Sequence, residues 1–326
     1  MKIAYQRNGE WLELPIASLN SCNHDVPAEL HLPLRAGSHP HEVRKRLLAL
    51  RLFPDKWVNR LFSVGGIRVE ENTVLLHAFK PADVAKNAMY RLAQQRRQQG
   101  FKDGGEQPAV LYEDDWCIVF NKPAGMPVHP NGPDHRGTLD EAAALHCLLQ
   151  DDPLPVKHIH RLDDDTAGPV LYAKHELAQL ILDEAMRSKK VERYYEAIVE
   201  GKLKRPKGTI QAPIGKDRHH GSRRRVTPAG DPAVTHYYTE ALYRDASLVK
   251  LRLETGRTHQ IRVHMSYMGY PLVGDKLYGG SGRLLSHQAL RGERLEFVHP
   301  LSGETVTVIA PEPPWFTILK EKLSRL

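Results

Sequence analysis

The chain has 326 residues, 41% of them apolar and 26% charged, with a mean hydropathy of −0.47; this excludes a wholly disordered, collagen-like or coiled-coil chain and suits about two domains. Forty-six Lys and Arg against 39 Asp and Glu leave a net charge of +7, a balance that favours polyanionic partners. Cys22, Cys117 and Cys147 form no C-x-x-C pair, the opening MKIAYQRNGEWLELP has no apolar signal core, and no apolar run approaches 18 residues, so we expect a cytoplasmic protein with neither a Cys-built zinc site nor a membrane span.

Residues 1–34 read as a lead-in with some extended character. Val43, Leu47 and Leu50 recur at helical spacing among Arg44, Lys45, Arg46 and Arg51. Pro54 opens a second helix with Trp57, Val58, Leu61 and Phe62 on one stripe, and residues 67–70 alternate as a strand after Gly65-Gly66. Residues 35–85 thus form a small basic unit. The polar run 84–100 and FKDGGEQP place a linker at 86–107. From 108 to 326 the pattern is one larger domain. WCIVF (116–120) is a buried strand, Thr138 and Glu141 begin a helix through Leu149, and Leu177, Leu180, Ile181 and Ala185 share a helical face. Strands follow at 194–199, 234–243 and 248–254. A helix from Thr258 to Gly269 turns Ile261, Met265 and Met268 inward, and RLEFV and TVTVIA close the domain. Hairpin-like spacing without βαβ alternation predicts an α+β fold, a mixed and largely antiparallel β-sheet flanked by helices.

No P-loop, G-x-G-x-x-G, H-E-x-x-H or G-x-S-x-G occurs, so the reaction is expected to run on side chains without a cofactor. The densest cluster of ionisable groups is His158-Ile159-His160-Arg161-Leu162-Asp163-Asp164-Asp165-Thr166. Two histidines at i, i+2 followed by an acid resemble a metal-binding H-x-H-x-D-H run, but the acid falls one position late and its adjacent histidine is missing. A solvated acidic turn is the plainer alternative. In Thr255-Gly256-Arg257-Thr258-His259-Gln260-Ile261-Arg262 a strand turns into a helix, and Arg262, beside the inward Ile261, needs an anion because an unpaired buried charge costs several kcal/mol.

These segments resemble the RluA-type pseudouridine synthases. HRLDDDTAG is similar to the family's H-R-L-D-x-x-T-S-G, TGRTHQIRVHMSYMGYPLVGDKLYG to its second long motif, Asn121 to Gly125 with Val128-His129-Pro130 to its upstream loop, and Arg193 to Gly201 to its K-x-Y-x-A-x-x-x-G strand. Ala167 stands where serine is usual and Arg193 where lysine is usual. The resemblance implies a sheet with an active cleft across its middle and cofactor-free, metal-free isomerisation of uridine to pseudouridine in RNA. By motif position Asp163 matches the catalytic aspartate, Tyr195 the active-site tyrosine and Arg262 the arginine that pairs with the aspartate. Arg161, Lys122, Arg257 and His259, in the same motifs, become candidate RNA contacts. So do Arg223, Arg224 and Arg225, in a basic loop between strands. Residues 35–85 resemble the S-four-like RNA-binding domain, departing at Glu70-Glu71-Asn72; a small basic cap is the alternative.

The chemistry asks for these residue types. Breaking the bond from ribose C1′ to N1 and rejoining the base through C5 needs one ionised carboxylate, to attack C1′ or to take a ribose proton. A neighbouring guanidinium keeps it ionised in a desolvated cleft, an aromatic ring can stack on the base, and the nucleotide must leave its helix at a few kcal/mol. The expected partner is RNA, large-subunit (23S) ribosomal RNA first and transfer RNA second, bound by a monomer. A metal-dependent ribonuclease on His158, His160 and Asp163, and a non-catalytic RNA-binding or ribosome-assembly factor, are the competing readings.

Overall fold

The computed structural model describes residues 4–22, 33–99, 107–132 and 135–325. Leu12 and Leu14 are buried between half-exposed neighbours, the alternation of a strand with one wet face. This strand, β2 (Trp11–Pro15), pairs antiparallel with β1 (Gln6–Asn8) and with β4 (Thr73–Leu76), and β4 pairs with β3 (Ile67–Glu70). The segment read as a lead-in is therefore half of the sheet of the N-terminal unit. Its three-residue and five-residue strands are too short to show a period in sequence. Helices α1 (Ile16–Ser21), α2 (Pro40–Leu50) and α3 (Asp55–Ser63) belong to the same unit, with Val43, Leu47, Trp57, Val58 and Leu61 buried. Arg46 is buried too, and its Nη2 donates to the carbonyl of Leu19 at 2.9 Å.

The stretch placed as a linker contains α4 (Ala88–Gln98), which Asn87 caps by accepting from Met89 N and Tyr90 N. Tyr90, Leu92 and Ala93 are buried, and Tyr90 and Ala93 join an apolar cluster with Ala144, Leu145 and Cys147 of α5 (Leu139–Leu149). The apolar residues of α4 crowd its first six positions, before a polar run from Gln94 to Gln98, and so leave no visible stripe. At the start of α5, Thr138 accepts from Glu141 N at 3.2 Å, while the Glu141 carboxylate reaches back to Gly137 N at 2.8 Å.

Two further sheets build the remainder. One has the order β5-β6-β8-β7, made of Ala109–Glu113, Cys117–Lys122, Gly168–Ala173 and Lys157–His158 for β5, β6, β8 and β7. The other has the order β10-β13-β14-β9-β15-β16. In chain order its strands are β9 (Glu192–Glu200), β10 (Lys207–Gln211), β13 (Val234–Leu242), β14 (Ala246–Leu253), β15 (Leu290–Val298) and β16 (Thr305–Ile309), and a small hairpin of β11 (Ile214–Lys216) and β12 (Arg224–Val226) stands apart. All these ladders are antiparallel, so the fold is the α+β arrangement expected. Helices α6 (Glu176–Arg187), α7 (Gln260–Tyr267) and α8 (Pro314–Ser324) pack against them. Helix α7 is two residues shorter at each end than expected, and Met268 is 40% exposed rather than inward.

The sheets meet where Gly168, the first residue of β8, lies against Gly292 of β15. A Cβ on Gly168 would stand 2.7 Å from Gly292 Cα, and the φ of Gly168 is +138°; only glycine fits on both counts. Gly292 N donates to Ala167 O at 2.7 Å. Ala167 thus contributes its backbone at this crossing.

The N-terminal unit shares one apolar cluster with both of these sheets, from Leu12, Trp57 and Phe79 through Trp116 and Leu171 of the first to Phe297 of the second. Arg7 makes a bidentate pair with Asp152, both bonds at 2.7 Å, and Arg60 pairs with Glu176 of α6. At the centre His175 lies edge-on to Phe79 and Trp116. Burial, with Arg7 and Lys174 nearby, pushes His175 down to about 3; burial beside Arg193 and His158 does the same to His160. Both histidines are neutral when folded and take up protons near pH 6.5 only when unfolded, so the unfolded state binds the extra protons below that pH. Thermal stability is therefore expected to be full above pH 6.5 and to fall progressively towards pH 4. Melting curves of the protein and of His175→Gln across that range check this: the variant should lose part of the dependence, and a midpoint flat from pH 7 to pH 4 would contradict the assignment.

Among the described residues no helix is long and apolar enough to cross a membrane.

Candidate active site

The loop from β7 to β8 carries Asp163, and its shape follows from three anchors. Thr166 N donates to Asp163 O at 3.0 Å and Gly125 N to Asp164 O at 2.9 Å. The third is Lys122, fully buried at the end of β6. Its Nζ donates to the carbonyls of Pro123 at 2.9 Å, Met126 at 2.6 Å and Asp164 at 2.7 Å. Three N–H groups meet three acceptors, so the ammonium is spent on the backbone. Burial, opposed by Asp164, Asp163 and Asp165, lowers its pKa to about 8, which leaves it charged at neutral pH. Lys122, expected from the sequence as an RNA contact, is thus enclosed with its amine on backbone carbonyls, and it ties the loop after β6 to the Asp163 loop.

Opposite this loop, α7 begins at a bracket of polar side chains. Gln260 Oε1 accepts from Thr255 Oγ1 at 2.7 Å and Arg257 N at 3.0 Å, and its Nε2 donates to Val234 O and Thr235 Oγ1. His264 bonds Thr235 Oγ1 and Ala212 O, each at 2.9 Å. These contacts set the helix against β13, and from it Arg262, 8% exposed, projects to Asp163. The Arg262 Nη1 to Asp163 Oδ2 distance is 3.2 Å. Two bonds of 2.7 and 2.9 Å run from the same guanidinium to both oxygens of Asp275, which is itself buried. Burial would lower the guanidinium's pKa, but the bonds to Asp275 and the charges of Asp275 and Asp163 outweigh it and hold it above its ordinary value. Arg262 is a permanent cation fixed by one carboxylate and turned towards another. The Tyr278 ring lies under it, 5.0 Å from Cζ.

Sequence reasoning named Asp163 and Arg262 and missed Asp275 and Tyr278. The need of Arg262 for an anion was legible; that Asp275, thirteen residues on, supplies two of the three bonds was not, because any acid of the chain could have been the partner.

Tyr195 sits on β9, opposite Leu251 of β14 and Gly292 of β15, and is 5% exposed. Burial raises its pKa, so the hydroxyl stays protonated. It lines a narrow slot of about 70 Å³ with Asp163, Arg262, Ile261, Leu253 and Leu290. The slot adjoins a wider cleft of about 910 Å³ whose wall includes His129, Arg161, Arg187, Lys189, Arg257 and His259.

The candidate RNA contacts divide. Arg161 is exposed at the mouth, with Nη1 3.3 Å from His129 Nε2. Arg257 is exposed and tethered by Nε to Pro232 O at 3.1 Å. His259 bonds the Tyr278 hydroxyl at 2.8 Å. Of the basic hairpin loop, Arg223 and Arg225 are exposed and Arg224 is half-buried. Its root is pinned beside the site by Arg224 N donating to the Tyr278 hydroxyl at 2.9 Å.

The histidine–acid run does not converge. His158 Nδ1 faces Asp140 at 2.9 Å, whereas His160 Nε2 accepts from Leu171 N at 3.2 Å. Among the described residues the metal-competent group with ligand atoms close together is Asp114, Cys117 and His299. There Asp114 accepts from Trp116 N, Cys117 N and Tyr112 Oη and faces His299 at 2.8 Å, so the carboxylate already serves the turn before β6.

A cleft between two antiparallel sheets, with a loop aspartate held against a buried arginine and a tyrosine beside it, defines a base-modifying enzyme of the pseudouridine synthase class. Residues 116–267 match the family model for RNA pseudouridylate synthases. The chain is 48% identical over 206 residues to the uncharacterized RNA pseudouridine synthase YhcT of Bacillus subtilis, covering 63% of this chain and 68% of that one. It is 39% identical over 230 residues to the ribosomal large subunit pseudouridine synthase D of Vibrio vulnificus, covering 66% and 70%. The structure of human RNA pseudouridylate synthase domain containing 1 superposes with a TM-score of 0.55 at 25% identity, over 66% of this chain and 88% of that one. The chain belongs to the RluA-type RNA pseudouridine synthases, and it is an RNA pseudouridine synthase.

Proposed function

We propose that this enzyme isomerises specific uridines of large-subunit ribosomal RNA in the cytoplasm, as a monomer and without a metal, with Asp163 as the reacting carboxylate. The observation that carries the assignment is the line Asp163–Arg262–Asp275. One aspartate is saturated by two charge-assisted bonds, and the other has a single bond to the shared guanidinium and faces the slot. Asp163 thus meets a fixed cation through one oxygen and is left free to act on the ribose, by attack at C1′ or by proton abstraction. Tyr195 stacks on the base, and Arg161 at the mouth takes the space the flipped nucleotide vacates. The ribosomal target is supported by the relative named for the large ribosomal subunit and by the N-terminal unit, whose Lys45, Arg51 and Lys56 are each exposed.

Two tests follow. Unmodified ribosomal and transfer RNA carrying tritium at uridine C5, incubated with the enzyme and EDTA, should release label from the ribosomal RNA; release from transfer RNA alone would overturn the target, and loss of release with EDTA the metal-free reading. Changing Arg223, Arg224 and Arg225 together to Ala should weaken RNA binding about tenfold or more near physiological salt and flatten its salt dependence by about two to three counterions. An unchanged salt slope would remove the hairpin from the RNA path.

A further inference from the structure

Arg193 lies two residues before Tyr195 on β9, on the same face of the strand, and is 9% exposed. It lines both the narrow slot and the wide cleft. Its Nε is enclosed with no hydrogen-bond partner, and no carboxylate among the described residues forms an ion pair with it. The acids nearby are engaged: Asp163 faces Arg262, and Glu254 pairs with His236 at 2.6 Å and Lys189 at 3.5 Å. Across from it Gly256 leaves room for the guanidinium, since a Cβ there would stand 2.7 Å from Nη1. A buried cation without a counter-charge is costly, and here it is exposed to the cavity that receives substrate. The full negative charges that RNA brings are its phosphates. A guanidinium at the junction of cleft and slot is where the backbone of a nucleotide must pass when its base enters the slot.

We propose that Arg193 is the buried phosphate ligand of the flipped nucleotide: it binds a phosphodiester oxygen adjacent to the target uridine, and so positions the ribose over Asp163. This rests on the enzyme acting on a flipped uridine in this cleft. The site takes a phosphate monoanion, and the fork of the guanidinium suits two of its oxygens.

The test is equilibrium binding of a stem-loop RNA cut from around the uridine that the wild type isomerises, with every protein carrying Asp163→Asn so that the RNA is not consumed. Arg193→Met should bind the all-phosphodiester RNA about tenfold more weakly. A single methylphosphonate, neutral at that position, is then moved along the backbone. One position flanking the target uridine should weaken binding to the protein that retains Arg193 by about tenfold and to Arg193→Met by less than twofold, while other positions weaken both alike. Arg193→Lys should recover part of the affinity and so separate loss of the charge from loss of fold. Equal losses in both proteins at every position would overturn the proposal. So would unchanged affinity of Arg193→Met together with slower turnover when Asp163 is restored, which would turn the guanidinium towards the base. Tritium release by the wild type from the parent RNA is followed alongside. Its absence from ribosomal RNA overturns the target, and the stem-loop is then drawn from the RNA that is modified, so the two failures are distinguishable.

Discussion

Asp163→Asn is expected to reduce tritium release from uridine C5 by on the order of ten-thousandfold while changing RNA affinity less than about threefold. The amide keeps the shape of the carboxylate, and Asp163 is half-exposed with one bond to Arg262, so the substitution removes the charge and leaves the loop standing. The loop is held by Lys122, Gly125 and Thr166, none of which depends on the Asp163 side chain. The measurement is single-turnover isomerisation with enzyme in excess, beside equilibrium binding of the same RNA. A variant that retained more than about a tenth of the wild-type rate would remove Asp163 from the chemistry and return the chain to the reading of an RNA-binding factor.

Asp275→Asn should do nearly as much damage by another route. Asp275 is almost wholly buried and carries both strong bonds to Arg262. Making it neutral leaves a buried guanidinium with Asp163 as its remaining ion-pair partner. Breaking a buried pair from one side costs about 3–5 kcal/mol; the remaining bond to Asp163 places this case near the lower figure. Arg262 would then draw Asp163 into a tighter pair and lower its reactivity. The expected result is a melting midpoint lower by several degrees and a kcat reduced about a hundredfold, with KM changed far less. A double-mutant cycle with Arg262→Met checks the coupling: the two losses should fall well short of adding, because both remove the same unit. Additive losses would mean that Asp275 supports the fold by a path that does not pass through Arg262.

The helices at 40–50, 55–63 and 176–187 were legible because each buries a stripe of side chains at helical spacing, and the helix at 139–149, buried nearly all round, because Thr138 and Glu141 mark its start. The strands β9 and β14 were legible as runs with one or both faces buried. The lead-in strands and α4 were not. Strands three and five residues long have no period to read, and the apolar residues of α4 answer to a partner helix some fifty positions later.

Within the site, the chemical types were readable and their employment was not. Asp163, Tyr195 and Arg262 stand in motifs whose resemblance to a family is dense, and each chemistry-bearing side chain could be named from its neighbours in the chain. Lys122 stands in such a motif too, yet its amine is enclosed and donates to three backbone carbonyls. Arg193, a few residues from several acids in sequence, pairs with none of them. A side chain's type, charge and place in a local pattern are written in the order of residues. Which opposite charge lies within 3 Å of it, and whether water reaches it, depend on elements brought together from distant parts of the chain. Asp163 and Arg262 are ninety-nine positions apart and meet because Gly168 and Gly292 let two sheets cross without a side chain between them.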